Sequence, residues 1–169
     1  MPIIFNNIKN DIDVVMDFYY NLCSIEMTCK ELSRTFLFLT TDGNMSELVR
    51  SSHFEKEYFV QVDGVISTKA IEMLKTGVEI TIETGNYTTI PCEAFCLKET
   101  PTLPKRNKKI RDDRHGPTSW ISIILTEGKF RQVRKMTAAI GFPTLRLIRV
   151  RIGEVKLTVK VGEVFELLQ

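Results

Sequence analysis

The sequence predicts an α+β fold, with a mixed and mostly antiparallel sheet that helices flank. Strand-like segments with alternating apolar residues outnumber helix-like segments along the chain. Most links between these segments are short, which favours pairing between sequential strands. No internal repeat of fixed period interrupts them. With 169 residues, the chain is long enough for one ordinary domain or for two small subdomains that share a core.

The first elements are predicted in the N-terminal third of the chain. FLFLTTDG, residues 36–43, is typical of a buried strand that closes in an Asp-Gly turn. A short helix is predicted over NMSELVRSS, residues 44–52. EYFVQVDG, residues 57–64, alternates as a strand and ends in a second Asp-Gly turn. One face of this strand carries Tyr58, Val60 and Val62.

A helix and two strands are predicted next. STKAIEMLKTG, residues 67–77, has helix signals, because Ser67 can cap its N-terminus and Gly77 can end it. VEITIET and CEAFCLK, residues 78–84 and 92–98, alternate as strands. The apolar stripe of the helix consists of Ala70, Ile71 and Leu74.

The second half begins with a loop and ends in a hairpin. Residues 99–118 hold three prolines and six cations and predict a loop. Residues 119–128 predict a strand, residues 129–141 a helix and residues 144–153 a further strand. The final EVKLTVKVGEVFELL is typical of a hairpin that turns near Gly162. The apolar face of the helix would consist of Phe130, Val133, Met136 and Ile140, with Gly141 as its end.

Cysteine usage argues against a zinc site. The four cysteines are Cys23, Cys29, Cys92 and Cys96. Their spacings, C-x5-C and C-x3-C, differ from the C-x2-C pairs of structural zinc sites. We therefore expect free thiols that serve as small core residues, and no metal.

Positive charge is concentrated in one part of the chain. The net charge is only +2, but residues 105–151 hold 13 Lys or Arg against three acids, a balance of +10. The remaining 10 basic and 18 acidic residues give −8. This asymmetry predicts a polyanionic partner, and nucleic acid is the most common one. The alternative is a solvated basic face without a partner.

The predicted helix and the strand after it carry many of these cations. Arg131, Arg134 and Lys135 recur three or four residues apart, away from the apolar stripe. Arg149 and Arg151 are expected to share a face of the strand. If the helix packs on that strand, two rows of guanidinium groups would border one groove. Guanidinium groups bind two phosphate oxygens at once.

Four stretches resemble a known family. EGKFRQVRKMTAAIGFPTLRLIRVRIG is similar to the EG+xRQVRRMxxxxGxPxLxLxRxxxG signature of the small ribosomal RNA pseudouridine synthases, the RsuA/RluB/RluE/RluF group. FLFLTTDG resembles their LLxLTNDG, and EKEYFVQVDG resembles their K-x-Y-x-V-x-V-x-G. LPKRNKKIRDDRHGPTSW resembles the linker of the RluE branch, which acts on large-subunit ribosomal RNA. The resemblance covers about four-fifths of the chain, residues 36–169.

The resemblance implies a fold and a reaction. It implies a catalytic domain of two subdomains around an RNA cleft, which isomerises a specific uridine in large-subunit ribosomal RNA. The uridine is flipped out of its stack, and an Asp attacks the nucleotide covalently. The glycosidic bond breaks, the base rotates and the base is rejoined through carbon. No cofactor and no metal take part.

The family's site residues transfer onto this sequence at three positions. Tyr58 matches the active-site tyrosine of K-x-Y, which stacks on the flipped base and takes part in proton transfer. Arg134 matches the basic residue that pairs with the nucleophile and keeps it ionised. Leu145 matches the apolar residue that lines the base pocket. From the residues alone, Tyr58 and Leu145 would be core packing and Arg134 an exposed helix cation.

The RNA-binding candidates come from the basic segment. They are Lys105, Arg106, Lys108, Lys109, Arg111, Arg131, Gln132, Lys135, Arg146, Arg149 and Arg151. The loop cations and the helix cations are expected to contact the phosphate backbone, and Gln132 can both donate and accept hydrogen bonds.

The chain departs from the family at the nucleophile. The family has G-R-L-D-x-x-[ST]-x-G directly before LLxLTNDG, and this chain reads MTCKELSRT there. Without gaps, Lys30 occupies the place of the Asp. A lysine cannot attack as a carboxylate, and Glu26, Glu31 and Asp42 are the acids nearest in sequence. This favours the alternative of a catalytically impaired RNA-binding homologue that lacks the nucleophilic Asp.

Three origins are open for the N-terminal segment, residues 1–34. It is strongly diverged, of different origin, or an altered reading of a once-normal segment. We expect residues 35–169 to form the pseudouridine synthase-like catalytic domain. No S4 domain is expected before it, because the chain is too short to hold one.

The expected setting is the cytoplasm, with ribosomal RNA as the partner. No apolar run approaches the roughly 20 residues that span a membrane. The N-terminus has no basic stretch followed by an apolar one, so no signal peptide is expected. We expect a monomer.

Overall fold

The computed structural model describes residues 54–103 and 115–158, which belong, apart from the last two, to one compact unit spanning residues 48–156. The predicted elements over residues 36–52, the basic part of the loop and the turn near Gly162 lie outside the described residues. The described strands are β1 (Lys56–Asp63), β2 (Glu79–Ile82), β3 (Gly85–Thr88), β4 (Glu93–Cys96), β5 (Thr118–Leu125), β6 (Thr144–Ile152) and β7 (Val155–Lys156). The described helices are α1 (Thr68–Thr76) and α2 (Gln132–Ala139).

The described strands form two antiparallel sheets. The larger sheet has the order β4-β5-β1-β6-β7, and β2 and β3 form a separate two-stranded sheet. All of the described pairings are antiparallel. The predicted α+β class with a mostly antiparallel sheet is therefore confirmed.

Strand β1 lies at the centre of the larger sheet and carries the core. Val60 and Val62 are fully buried, and Tyr58 packs against the same cluster from a half-buried position. The predicted apolar face of β1 is thus confirmed. Residues of α1 and α2 join this cluster, so we refer to the side of the sheet with Tyr58, Val60 and Val62 as the helix-side face. Glu57, Phe59 and Gln61 alternate onto the opposite face.

Helix α1 begins and ends where the sequence predicts. The Ser67 hydroxyl accepts a hydrogen bond from the Ala70 N–H at 3.2 Å, which satisfies one of the free donors of the first turn. Ala70, Ile71 and Leu74 are buried, as their spacing predicts. Gly77 follows the helix with φ of 104°, and a Cβ at this position would lie 2.3 Å from the Thr89 carbonyl oxygen. Gly77 is therefore required both for its conformation and for its small size.

The start of helix α2 differs from the prediction. The helix begins at Gln132 rather than Lys129, because Arg131 adopts a left-handed conformation with φ of 54°. Phe130 therefore lies outside the helix and is 62% exposed, so its predicted place on the apolar face is wrong. Gly141, with φ of 84°, ends the helix region as predicted. The buried face of the helix consists of Gln132, Val133, Met136 and Thr137, and Ile140 packs against the core from a half-buried position.

The hairpin of β2 and β3 includes a strand that the sequence pattern did not indicate. Strand β3 reads GNYT, and of these residues only Tyr87 packs against the core, so the apolar alternation is too weak to see. Val78 and Thr89 close the hairpin: the Thr89 N–H donates to the Val78 carbonyl at 2.9 Å. The Val78 N–H donates to the Thr89 hydroxyl at 3.0 Å.

Strand β6 contains two β-bulges. Its pairing with β1 shifts between Glu57 and Tyr58 and again between Gln61 and Val62. The extra residues on β6 are Val150 and Leu145. Strand β7 pairs with the end of β6 through a turn at Gly153 and Glu154.

The first bulge overturns the predicted arrangement of two arginines. Arg149 is opposite Tyr58, whereas Arg151 is opposite Glu57. Because Tyr58 and Glu57 are consecutive residues of β1, Arg149 lies on the helix-side face and Arg151 on the opposite face. The expectation that both share a face is therefore wrong. The extra residue Val150 breaks the simple alternation on which that expectation depended.

The two described cysteines are both free but differ in environment. Cys92 lies just before β4, half-buried, and its thiol donates to the Leu74 carbonyl at 3.2 Å. Burial raises the pKa of the Cys92 thiol to about 11, with the nearby Glu127 and Glu93 carboxylates as further causes. Cys96, the last residue of β4, is exposed.

We expect iodoacetamide to alkylate Cys96 well before Cys92 at pH 8. The thiolate is the reacting form, and the raised pKa keeps Cys92 protonated at that pH. Peptide mass spectrometry would follow each cysteine separately over time. Modification of Cys92 should accelerate only as the pH approaches 11. Equal rates for the two cysteines at pH 8 in the folded protein would contradict the described environment of Cys92.

Candidate functional site

Helix α2 and strand β6 bring two of the predicted site residues to the same part of the fold. Arg134 lies in the helix one turn before Thr137, whose hydroxyl donates to the Arg134 carbonyl at 3.2 Å. The Thr137 hydroxyl also lies 2.7 Å from the Thr144 hydroxyl. Thr144 precedes Leu145, the extra residue of the second bulge. These contacts of Thr137 link the helix turn of Arg134 to the second bulge of β6. A bulge changes the direction of a side chain relative to the regular strand.

Tyr58 lies on β1, the strand that pairs with β6, and two cationic side chains lie near it. It is directly opposite Arg149 and shares its face of the sheet with Lys56. Lys56 is only 4% exposed, and its ammonium group donates to the carbonyls of Thr126 at 2.7 Å and Phe54 at 3.0 Å. Burial lowers the pKa of Lys56, and the charge of Arg149 lowers it further. Tyr58 therefore lies next to two positively charged side chains on the helix-side face of the sheet.

Glu127 connects the hairpin, strand β5 and the start of α2. It is 7% exposed, and three donors reach its carboxylate. The Tyr87 hydroxyl donates to Oε2 at 2.6 Å, and the Ile90 N–H donates to Oε1 at 3.0 Å. The side-chain amide of Gln132 also donates to Oε1. The hydrogen bond to Glu127, together with burial, raises the pKa of Tyr87, so this hydroxyl remains a donor.

Gln132, a predicted RNA contact, is buried at 4% exposure. Its amide nitrogen is bound to Glu127, and its carbonyl accepts from the Lys129 N–H at 2.9 Å. Both ends of this side chain therefore bind within the protein. In this arrangement Gln132 orients the start of the helix that carries Arg134.

Arg151, another predicted RNA contact, joins the ends of β1 and β6. Its guanidinium group donates to Glu57 and to Glu55, each at 3.0 Å, and to the Gly153 carbonyl at 2.8 Å. The pKa of Arg151 is raised chiefly by the hydrogen bond to Glu57. Glu57 in turn accepts from the Ser122 hydroxyl at 2.9 Å, which extends the connection to β5.

The remaining predicted residues are distributed over the helix, the sheet and the undescribed segments. Arg131 is exposed at the start of α2, and Lys135 is half-buried one turn later. Arg146 is opposite Gln61 and therefore lies on the face away from the helices. Of the three β6 arginines, only Arg149 lies on the helix-side face. Strand β6 therefore does not provide the row of guanidinium groups that the predicted groove requires. Lys30 and the loop candidates Lys105, Arg106, Lys108, Lys109 and Arg111 lie outside the described residues.

Sequence reasoning gave no site role to Glu127 or Lys56, and it placed Phe130 on the apolar face of the helix. A signal for Glu127 was present, because it is the one acid in the 27-residue basic segment that begins with it. Lys56 is the first residue of the K-x-Y motif but has no charge partner in sequence that would suggest burial. Phe130 occupies a position with helical spacing, and only the left-handed Arg131 removes it from the helix.

Neither a metal centre nor a membrane helix was found within the described parts of the chain. Residues 54–103 and 115–158 contain no group of three or more His, Cys, Asp or Glu side chains placed to hold a metal ion. Neither α1 nor α2, the helices described there, has the length and apolarity required to cross a membrane.

Over about three-quarters of its length, the chain is similar to pseudouridine synthases. The chain is 39% identical over 127 residues to ribosomal large subunit pseudouridine synthase E of Vibrio parahaemolyticus, covering 74% of this chain and 51% of that protein. It is 36% identical over 127 residues to the protein of the same name from Xanthomonas axonopodis, covering 74% of this chain and 65% of that protein. A crystal structure of a pseudouridylate synthase matches with a TM-score of 0.57 and 25% identity, over 76% of this chain and 49% of that one.

Fold and sequence together define the class of this protein as that of the pseudouridine synthases. The chain belongs to the RsuA/RluB/RluE family and groups with its RluE branch. It spans about half to two-thirds of the length of the curated relatives it matches.

A second similarity concerns the N-terminal part. A family model described as glutaminase matches residues 4–71. The chain is also 56% identical over 39 residues to a glutaminase of Saccharophagus degradans, which is 23% of this chain and 13% of that protein. The family match extends through β1, which carries the K-x-Y resemblance, and into α1. The match includes most of the N-terminal segment, residues 1–34, for which three origins are open.

Proposed function

We propose that this chain contains a pseudouridine synthase unit whose substrate is a uridine of large-subunit ribosomal RNA. The observation that carries the proposal is the similarity of 36–39% to relatives with that name, over about three-quarters of the chain. Such a protein would work in the cytoplasm, where ribosomal RNA is found. Residues 35–169 are the proposed catalytic unit, with residues 1–34 outside it.

The described geometry supports the roles proposed for three residues. Tyr58 would stack on the flipped uracil from the helix-side face of β1. Leu145 would line the base pocket from the second bulge of β6. Arg134 would orient an attacking carboxylate and keep it ionised, because an adjacent positive charge favours the charged form of a carboxyl group. The Thr137 hydroxyl links the positions of Arg134 and Leu145, because it binds the Arg134 carbonyl and contacts the hydroxyl of Thr144, which precedes Leu145.

Electrostatic contact with the RNA backbone would come from the cations around the start of α2 and from the loop. Arg131 and Lys135 are the described candidates, and Arg149 lies beside Tyr58. We propose a structural role for Gln132 and Arg151, because their polar groups bind within the protein. Phosphate contacts of this kind position the RNA without reading its sequence.

The second candidate function is RNA binding without isomerisation. The specific observation that favours it is the match to a glutaminase family model over residues 4–71, which include the segment where the pseudouridine synthases carry their nucleophile. If that segment derives from another protein, Lys30 marks a place where the G-R-L-D motif is missing. The cationic surface would then bind RNA, but no aspartate would attack the nucleotide.

We expect the chain to bind large-subunit ribosomal RNA with strong salt dependence. If six phosphates are contacted, a fourfold rise in salt should lower the affinity by roughly two to three decades, because each contact releases condensed counterions. A filter-binding titration measures this slope. A double variant, Arg131→Ala with Lys135→Ala, should reduce the magnitude of the slope by about 1.4, the value for two single-strand contacts.

Two exposed lysines outside the basic segment provide the matched control. A Lys69→Ala, Lys98→Ala variant removes the same charge from α1 and from the segment that follows β4. Its salt slope should equal that of the parent. A flat salt response of the parent would refute the proposed RNA binding, and equal losses in both variants would refute its location.

A further inference from the structure

Phe130 is an exposed aromatic side chain among cations. It is 62% exposed, and it lies between Lys129 and Arg131, both of which are exposed as well. The Lys135 ammonium group lies over its ring, 5.7 Å from the centroid. Burying a phenyl ring against the core would be favourable, and the exposed Phe130 ring does not contribute this hydrophobic free energy to folding. The family signature leaves this position unspecified.

A short turn holds Phe130 in place. The Gln132 N–H donates to the Lys129 carbonyl at 3.0 Å, which closes a four-residue turn with Phe130 and Arg131 at its tip. The Gln132 side chain closes the same turn a second time, by accepting from the Lys129 N–H. The buried Glu127 fixes that side chain. We refer to residues 129–132 as the Phe130 turn, and its tip is thus held by the core although it is exposed.

The conformation of Arg131 supports a role for this tip. It is the one described non-glycine residue with positive φ, at 54°. Left-handed backbone is unfavourable for a residue with a side chain, and glycine would avoid the cost. An arginine in this place retains a strained backbone together with a positive charge beside the ring. Strained residues cluster at sites that bind ligands.

Lys129 does not compete for the ring of Phe130. Its ammonium group lies over the Tyr87 ring instead, 4.9 Å from the centroid. The cations around Phe130 are therefore directed differently: Lys135 lies at the ring, and Arg131 extends from the tip of the turn. A flat aromatic surface with adjacent positive charge is complementary to a nucleotide, whose base stacks and whose phosphate is anionic.

We propose that Phe130 is a stacking platform for an unpaired base of the RNA. This proposal rests on the proposed RNA-binding function and names a contact within it. The base would stack on the exposed ring surface, and Arg131 and Lys135 would bind the phosphates on either side. The rigid turn presents the ring before RNA arrives, so little ordering cost is added on binding.

Fluorescence anisotropy with a fluorescein-labelled, uridine-rich single-stranded RNA tests the proposal. At one fixed salt concentration, Phe130→Ala should weaken binding by about tenfold, within the range measured when single stacking aromatics are removed. Its salt slope should remain that of the parent, since no charge is lost. Lys135→Ala should instead reduce the slope by about 0.7. Binding to heparin, a polyanion without bases, should be the same for Phe130→Ala and the parent.

Two further variants control the experiment. Phe95 is the other exposed aromatic side chain that the structure describes, at 44%, on the edge strand β4. Phe95→Ala should therefore leave RNA affinity within twofold of the parent. Phe130→Trp should keep the affinity, and its emission should be quenched by RNA beyond the change seen for the buried Trp120 of the parent.

The outcomes separate the platform from the RNA-binding function. If the parent binds RNA with a steep salt slope and Phe130→Ala binds equally well, the platform is refuted and the proposed function stands. A parent that does not bind RNA refutes both. Equal losses toward RNA and heparin would show that Phe130 acts through the fold or the charge, which also overturns the platform. Unquenched Phe130→Trp emission would do the same even if the alanine variant failed to fold.

Discussion

The chain as it stands is expected to release little or no tritium from ribosomal RNA that carries tritiated uridine. Pseudouridine formation in this family requires an aspartate that attacks the nucleotide, and Lys30 falls at its position. A protonated lysine has no lone pair with which to attack and would repel Arg134. Loss of the nucleophile costs a protease of known mechanism on the order of a millionfold in rate, so the parent should lie below detection.

Restoring the nucleophile should need more than one substitution. Lys30→Asp returns a carboxylate, but the flanking Gly, Arg and Thr-x-Gly residues that shape the family's loop stay absent. Misplacing a reacting group by about 1 Å can cost about a hundredfold in rate. A graft of G-R-L-D-x-x-T-x-G over residues 27–35 should therefore release more tritium than Lys30→Asp does.

A third variant ties any recovered activity to the described site. Arg134→Ala in the graft should abolish release, because the carboxylate would lose its cationic partner. Robust activity in the parent chain would show that the gapless alignment is incorrect. In that case Glu26, Glu31 or Asp42 would have to reach the nucleotide instead.

Glu127→Ala should destabilise the described unit by about 3 kcal/mol or more. The substitution removes the buried carboxylate that accepts from the Tyr87 hydroxyl, the Ile90 N–H and the Gln132 amide, and it leaves the buried Gln132 without this partner. Hydrogen bonds to a charged group contribute about 1.5–3 kcal/mol each. For a unit of this size, the melting temperature should fall on the order of 10–20 °C. Thermal melts followed by circular dichroism measure the change.

Glu79→Ala is the matched control for this loss. Glu79 is exposed on β2 and accepts one hydrogen bond, from Asn86 at 3.2 Å. Surface substitutions of this kind usually change stability by less than about 0.5 kcal/mol. In a double-mutant cycle, Glu127→Ala and Gln132→Ala should cost less together than the sum of their single effects, because they share one contact. Strict additivity would contradict the Glu127–Gln132 hydrogen bond.

Local signals in the sequence were sufficient wherever one segment determines its own conformation. Ser67 and Gly77 mark the ends of α1 because a hydroxyl and a glycine satisfy backbone groups within the same turn. The alternation of Tyr58, Val60 and Val62 identifies the buried face of β1, since a strand exposes every second residue to the same side. The family resemblance supplied the site roles, because periodicity alone would have assigned Tyr58 and Leu145 to packing and Arg134 to an exposed helix face.

The same reasoning failed where a single backbone irregularity changed the phase. Arg131 starts α2 three residues later than the pattern indicates, which moves Phe130 from the core to the surface. Val150 adds one residue to β6 and separates Arg149 from Arg151. Neither event has a local signature, because arginine and valine normally avoid a left-handed turn and give no sign of a bulge.

Contacts between distant segments were also out of reach of the sequence. Glu127 binds Tyr87, 40 residues earlier, and Lys56 binds the Thr126 carbonyl, 70 residues later. Such pairs are determined by how the sheet and the hairpin assemble. A lone acid in a basic segment shows that Glu127 is unusual, but it does not identify its partners.

Because of its two bulges, we expect strand β6 to tolerate no change in length during evolution. Leu145 and Val150 each offset the alternation by one residue, so the four residues between them keep their register with β1 only while both extra residues are present. A codon deletion inside β6 would exchange inward and outward side chains over part of the strand, as a one-residue slip does in any sheet. Substitutions can accumulate in this segment without such an effect. Lineages descending from this sequence should therefore diverge in the residues of β6 while their alignments remain free of gaps there.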